Sequence, residues 1–328
     1  KSSATFLVPQ STTMTLFNYV CSLLTPLPFV IISSSYAHNG IPVNNHKLGI
    51  PGFPDCILPE IEDSNRRGLF LDGDHADPFM RLECYQRGED SKIKIGCIGD
   101  SITAGAHSSG ASHTYPSILQ KLLGEEDYAV TNLGACGSTM LKHGDSPYWE
   151  RPQFETLTAN AWDILIIMLG TNDAKDKGSN GPANWPHNCM GPDALSCSFA
   201  EDYVDMIELA RTLGRSPDEP PEIYVMIPPP LMKDGAYGMN ATVIDEVFPI
   251  LVPSIAKWAG LFTDPIDIFS EFGGHQLSPP EKEQGCSNTT VNKDQCSWYC
   301  DMQSCDQCHP NDVGYFHMAK AVHESLGL

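Results

Sequence analysis

The stretch Ile95-Gly96-Cys97-Ile98-Gly99-Asp100-Ser101-Ile102-Thr103-Ala104-Gly105 decides the fold. Residues 93–98 form a short apolar run, bounded behind by the charged, turn-like Glu89-Asp90-Ser91-Lys92. The run stops at Gly99-Asp100-Ser101 and gives way to the small residues Ala104-Gly105-Ala106. That pattern predicts a buried strand that ends abruptly with a hydroxyl at its carboxyl end. In an open parallel sheet, ligands bind outside the carboxyl ends of the strands, so a nucleophile belongs there. Taken alone, the same residues suit a helix cap or a turn equally well, and the rest of the chain has to decide.

Outward from this stretch, apolar runs alternate with helical patterns. Strands are predicted over 93–98, 128–132, 164–169, 223–227 and, more weakly marked, 261–264. Helices are predicted over 115–123, with Pro116 in the first turn, and over 199–213, 243–258 and 312–326. Such an alternation implies a three-layer α/β/α sandwich around a five-stranded, mostly parallel sheet. Two long insertions interrupt it, 175–198 with Cys189 and Cys197, and 273–308 with five cysteines. Stretches of that length are functional or cross-linked as a rule. Residues 38–92 lack periodicity and are too short for a core of their own, so they read as an extension packed on the main domain, 93–328.

Composition narrows the partners. The 328 residues carry a net charge of −21, a field that repels phosphate backbones and anionic lipid. Nucleic acid is therefore excluded as a partner class, and no stable membrane insertion is expected. Twelve cysteines, most of them in loop-like segments, suit an oxidising compartment and disulfides. Residues 16–32 are mostly apolar, interrupted by Pro26 and Pro28, and Ser35-Tyr36-Ala37 follows like a signal-peptidase site. Residues 1–37 are thus read as leader and signal peptide, and the protein as secreted. The sequons Asn240-Ala241-Thr242 and Asn288-Thr289-Thr290 fit a secretory route. Without Cys21 eleven cysteines remain, an odd number, and Cys97 inside the first strand is the expected buried thiol.

Chemistry-bearing residues collect just past the strands. After the second comes Asn132-Leu133-Gly134-Ala135-Cys136-Gly137, after the third Gly170-Thr171-Asn172-Asp173, and after the fifth and its insertion Asp306-Gln307-Cys308-His309. A serine, a glycine turn, an amide and an Asp/His pair are therefore predicted at one edge of one sheet. These blocks, with Gly99-Asp100-Ser101, resemble the SGNH hydrolase superfamily, the GDSL esterases and lipases, in order and in spacing to the strands. The resemblance covers roughly 93–328 apart from the insertions, and the layout is similar to that of the small acylhydrolases and acetylesterases. It implies a flavodoxin-like fold and carboxylic ester hydrolysis through an acyl-enzyme. Ser101 would attack the ester carbonyl, His309 would take and return the proton, and Asp306 would orient the imidazole. The oxyanion hole would be the backbone N–H groups of Ser101 and Gly137 with the Asn172 side-chain amide. Such a mechanism calls for no cofactor and no metal.

The cysteines offer other readings. Cys305-Asp306-Gln307-Cys308-His309 matches C-x-x-C-H, the haem attachment pattern, and the run from Cys286 to Cys308 has residues suited to Zn²⁺. Disulfides are preferred, and any formed by Cys305 or Cys308 would hold the Asp306-to-His309 turn in register. Trp149, Trp185, Tyr148, Trp298 and Tyr299 could stack on sugar rings or simply pack. No long apolar stripe suggests an interfacial lid, which favours short acyl esters, such as O-acetyl on a glycan or a small molecule. The alternatives are a lysophospholipase or thioesterase and a non-catalytic glycan-binding relative. Oligomeric state is open.

Overall fold

The computed structural model describes residues 92–176, 183–189, 194–274, 296–299 and 306–328. The leader, all of 38–92 but Lys92, and most of the two insertions lie outside the described residues. So do Cys56, Cys84, Cys286, Cys300, Cys305 and the Asn288 sequon.

The described chain runs β1 (Ile93–Gly99), a four-residue helix α1 (Ser101–Ala104), α2 (Tyr115–Leu123), β2 (Tyr128–Gly134), α3 (Pro152–Thr158) and β3 (Ile164–Met168). It continues with α4 (Ser198–Arg211), β4 (Glu222–Ile227), α5 (Phe248–Trp258), β5 (Ile266–Asp267), a short α6 (Ile268–Glu271) and α7 (Asp312–Leu326). The five strands form one sheet in the order β2-β1-β3-β4-β5, and every pairing is parallel. The chain leaves β1 toward β2 on one side and returns to β3 on the other. The switch point, where a crevice opens at the strands' carboxyl ends, is therefore between β1 and β3.

Alternation along the strands builds two cores. Ile98, Leu165, Ile167, Ile223, Val225 and Ile227 pack with Leu157, Phe199, Tyr203 and Phe248, from the helical layer of α3, α4 and α5. Ile95, Cys97, Ile164, Ile166 and Met168 pack with Tyr115, Leu119, Tyr315 and Met318, from α2 and α7. Period-two burial on both faces, with each buried aliphatic side chain contributing about 1.5–3 kcal/mol, is what makes these runs strands of a covered sheet.

The fifth strand differs from its predicted position. Residues 261–264 are not a strand, and β5 is only Ile266–Asp267. Pro265 separates the two segments and has no N–H to donate to a neighbouring strand. The helix predicted over 243–258 starts as a π turn, Val243–Val247, ahead of α5. The change of pitch falls where Pro249, in the first turn of α5, has no N–H to continue the ladder.

Two cysteine expectations are settled among the described residues. Cys189 and Cys197 form a disulfide within their insertion. Cys97 is a buried free thiol, its pKa pushed up to about 12 by burial. Cys308, however, is also a buried free thiol, with Sγ 3.8 Å from Met239 Sδ, so no Cys308 disulfide braces the Asp306–His309 turn. Cys136 and Cys296 are disulfide-bonded.

Candidate active site

Local geometry puts Ser101 at the end of β1. Asp100 caps α1 by accepting from Ile102 N at 2.9 Å, and Gly105 closes it at φ 93°. The Ser101 carbonyl accepts from Gly105 N and Ala106 N, a tight reversal that leaves the Ser101 hydroxyl at the sheet edge. Asp100 is buried, and desolvation pushes its pKa up to about 6 in spite of the Ile102 N–H and the His309 charge. Gly134 ends β2 where a Cβ would lie 2.1 Å from Ala104 N, so only glycine lets β2 pass so close under α1.

Ser101 Oγ lies 2.8 Å from His309 Nε2, and His309 Nδ1 lies 2.9 Å from Asp306 Oδ2. The three residues are 208 and 3 positions apart in sequence, yet form one continuous hydrogen-bonded line. The Asp306-x-x-His309 spacing is an Asx turn. Asp306 Oδ1 accepts from Cys308 N at 2.7 Å and His309 N at 2.9 Å, leaving Oδ2 for the ring. The Gln307 carbonyl accepts from Met232 N, which ties the turn to the loop after β4. Asn311 caps α7 directly behind it, accepting from Val313 N and Gly314 N.

Gly137 and Asn172 flank the same edge. Gly137 stands at φ 78°, and an added Cβ would meet no atom within 4 Å, so its side faces open space. Among the described residues, the Ser101 and Gly137 N–H groups have no protein acceptor. Asn172 Nδ2 donates to Ser138 O at 3.2 Å and to Asp100 Oδ2 at 3.4 Å, both long bonds. Asp173, next to it, accepts from Met140 N at 2.9 Å and Leu141 N at 2.8 Å and so pins the loop carrying Gly137 to the loop carrying Asn172. Burial pushes the Asp173 pKa up to about 7 against these two bonds.

Two residues at the site escape the sequence reading. His107 Nε2 lies 2.8 Å from Asp306 Oδ2, and Tyr237 Oη donates to the same oxygen at 2.8 Å. Asp306 is held well below the usual carboxylate range. Burial opposes this, but the hydrogen bonds from His107 and His309, and their charges, outweigh it. Burial first, and then the Asp306 charge, raise the Tyr237 phenol, which keeps it a donor. The available signals are slight: a histidine two residues past Gly105, and an aromatic between glycines in Gly235-Ala236-Tyr237-Gly238. His107, Asp306 and His309 offer ligand-type atoms within 4.8 Å of one another, but those atoms are spent on one another rather than turned outward to an ion.

The candidate sugar-stacking aromatics are not exposed platforms. Tyr148, Trp185 and Tyr299 are buried, Trp185 among Phe199 and Phe248. Trp149 donates to Met140 O beneath the Lys142 ammonium, and Trp298 stacks on His317 at 3.8 Å. Tyr237 is the exposed aromatic touching the Asp/His pair, 47% accessible. Asn240 of the first sequon already donates to Asp176 at 3.0 Å.

Comparison with known proteins agrees with this frame. A model of the GDSL-like lipase/acylhydrolase family matches residues 97–315. An acetylxylan esterase of Xylanibacter ruminicola is 32% identical over 186 residues, covering 55% of this chain and 37% of that protein. The chain thus spans little more than a third of that relative's length. A solved crystal structure 21% identical superposes with a TM-score of 0.50, over 72% of this chain and 97% of its own. The acetyl xylan esterase AlAXEase, 19% identical, gives a TM-score of 0.48 over 71% of this chain and 100% of its own. The parallel five-stranded sheet between two helical layers defines the class, that of the three-layer α/β/α sandwiches. Within that class, the chain belongs to the GDSL-like lipase/acylhydrolase family.

Proposed function

We propose that this chain is a secreted serine esterase that hydrolyses short acyl esters, O-acetyl groups on a glycan or small molecule first among them, through an acyl-enzyme. The observation that carries the reading is the buried line from Ser101 Oγ through His309 to Asp306 at the carboxyl edge of the sheet. Ser101 Oγ attacks the ester carbonyl as His309 Nε2 takes its proton, and the Asp306 carboxylate stabilises the imidazolium. The tetrahedral oxyanion takes hydrogen bonds from the N–H groups of Ser101 and Gly137 and from Asn172 Nδ2, which exchanges its long bonds for a short charge-assisted one. His309 returns the proton to the leaving alcohol, and water then repeats the sequence on the acyl-enzyme. None of these steps draws on a metal or a cofactor.

The acyl preference is supported by the activity in the name of the Xylanibacter ruminicola relative, an acetylxylan esterase. Secretion is supported by the leader-like residues 16–37 and by the disulfide in the described chain. Among the described residues no helix is long and apolar enough to cross a membrane. The 38–92 segment we take as an extension of the 93–328 domain.

The test is hydrolysis of 4-nitrophenyl esters of increasing acyl length, with acetate release from acetylated xylan, by the full chain and by Ser101→Ala. Acetyl esters should be preferred, and Ser101→Ala should lower kcat by about 10³–10⁶-fold with the fold intact. Preference for long acyl chains or acyl thioesters would give the activity to the lysophospholipase or thioesterase class. An undiminished rate in Ser101→Ala would sink the mechanism, and glycan binding without any turnover would point to a non-catalytic relative.

A further inference from the structure

Among the described residues, two other than glycine stand at positive φ, His107 at 65° and Tyr237 at 53°. An L side chain adopts that conformation only when its surroundings hold it there, and such residues concentrate at functional sites. They come from different loops, after β1 and after β4, yet both reach one atom, Asp306 Oδ2, each at 2.8 Å. Glycines already stand beside them, Gly105 at φ 93°, Gly235 at 76° and Gly238 at 80°, so chain reversal alone does not call for a histidine or a tyrosine. Both rings also bracket His309. The His107 ring stacks on it at 5.6 Å with planes 7° apart, and the Tyr237 ring meets it edge-on at 5.3 Å and 76°. Outside lies solvent: the His107 side chain is 33% exposed, whereas those of Asp306 and His309 are 1% and 2%.

We propose that His107 and Tyr237 are positioning residues that clamp the Asp306 carboxylate and set how firmly it holds the proton on His309. The proposal rests on the reading of Ser101, His309 and Asp306 as the catalytic unit. Oδ2 faces three donors, from His309, His107 and Tyr237, with two lone pairs to offer. Each outer donor draws charge from the oxygen and weakens its pull on the His309 Nδ1–H. An imidazolium held too firmly returns its proton slowly to the leaving alcohol, so the clamp balances the two halves of the proton shuttle. It also fixes the carboxylate rotamer, and with it the imidazole plane presented to Ser101. The anchor of the clamp is rigid: Tyr315 Oη donates to Ala106 O at 2.6 Å, which holds the turn that carries His107.

The titratable groups around the Asp306/His309 pair are Asp100 and His107 from the segment after β1, Tyr237 from the loop after β4, and Cys308, which acts on Asp306, from the same turn. Tyr237 and Cys308 are held uncharged by burial, and Asp306 is held charged. Removing an outer donor from Oδ2 makes the carboxylate a stronger acceptor for the imidazolium. The acid limb of the rate profile then moves to higher pH, whichever donor is removed.

The experiment takes His107→Leu, His107→Gln and Tyr237→Phe in the full chain, with pH profiles of kcat and kcat/KM on a chromogenic acetyl ester. Circular dichroism checks that each variant is folded, and Tyr237→Phe keeps the ring while removing only the hydroxyl. His107→Leu and Tyr237→Phe should each lower kcat on the order of 10-fold with KM within about twofold, and each should move the acid limb upward. His107→Gln supplies an uncharged N–H donor and should bring the limb back toward that of the parent chain. Folded His107→Leu and Tyr237→Phe variants with the parent limb and kcat would overturn the clamp, and so would a limb that moves downward. Ser101→Ala in the same assay separates the two readings. Undiminished turnover there defeats the esterase mechanism itself, whereas an inactive Ser101→Ala beside unaltered outer variants defeats only the clamp.

Discussion

Asp306→Asn removes one charge and almost no volume, and the structure says what that does. The carboxylate accepts from five donors: Cys308 N and His309 N on Oδ1, and His309 Nδ1, His107 Nε2 and Tyr237 Oη on Oδ2. An asparagine offers one acceptor oxygen and one NH₂ group. If its oxygen keeps the turn, the NH₂ faces the three donors that met at Oδ2, and His309 must answer by moving its proton from Nδ1 to Nε2. The Nε2–H then points at Ser101 Oγ, 2.8 Å away, and the imidazole cannot act as base. In a serine, histidine and aspartate triad the wrong tautomer costs about 10⁴-fold in kcat, or about 5.4 kcal/mol of barrier. If the amide flips instead, its NH₂ opposes Cys308 N and His309 N and the turn itself loosens. Either way buried donors lose their acceptor, at a further cost of about 2–4 kcal/mol in stability. The assay is kcat and KM on an acetyl ester across the neutral pH range, beside a denaturant melt. A kcat within tenfold of the parent in a folded protein would refute the tautomer argument.

Asn172→Ala should cost about 10²–10³-fold in kcat, the worth of one oxyanion donor, and a loss confined to KM would instead assign the amide to ground-state binding. Replacing Cys189 and Cys197 by serine opens a loop of 8 residues and should lower unfolding free energy by about 2.5 kcal/mol in urea melts, with kcat retained. An equal loss of kcat would tie that insertion to the chemistry. Asp173 has its pKa raised to about 7, so its contribution to stability is full below the ordinary carboxylate range and is lost as pH rises through about 7. Asp173→Asn should therefore flatten the fall in stability between about pH 4 and 7 while lowering it overall, and an unchanged slope would contradict the assignment.

The sheet is legible in the sequence because its strands are buried on both faces. Ile164 to Met168 is an unbroken apolar run, and β1 and β2 both end in glycine turns that cannot continue them. β5 lies away from its predicted place because two residues of edge strand carry no period to read. The site is legible where chemistry and backbone geometry coincide in sequence, as in Gly99-Asp100-Ser101 and in Asp306-Gln307-Cys308-His309. His107 and Tyr237 are not, because what selects them is convergence on one oxygen from positions 130 residues apart, and no local pattern encodes that convergence. The aromatics mislead for a related reason: a tryptophan in a polar segment, such as Trp185, still finds a core once the chain closes over it.

The two buried thiols among the described residues make the molecule its own reporter of where it opens first. Cys97 sits in β1, an inner strand paired with β2 on one side and β3 on the other, while Cys308 sits inside the turn that carries His309. Neither can react with an alkylating reagent until its surroundings open. Cys97 therefore clocks the parting of the sheet, and Cys308 clocks the loosening of the turn. When reclosing outpaces labelling, each rate measures the free energy of its own opening, and every tenfold difference between them corresponds to about 1.4 kcal/mol. A turn that breathes independently of the sheet would show as faster capture of Cys308, and a turn that is part of the cooperative core would show as two thiols reacting as one.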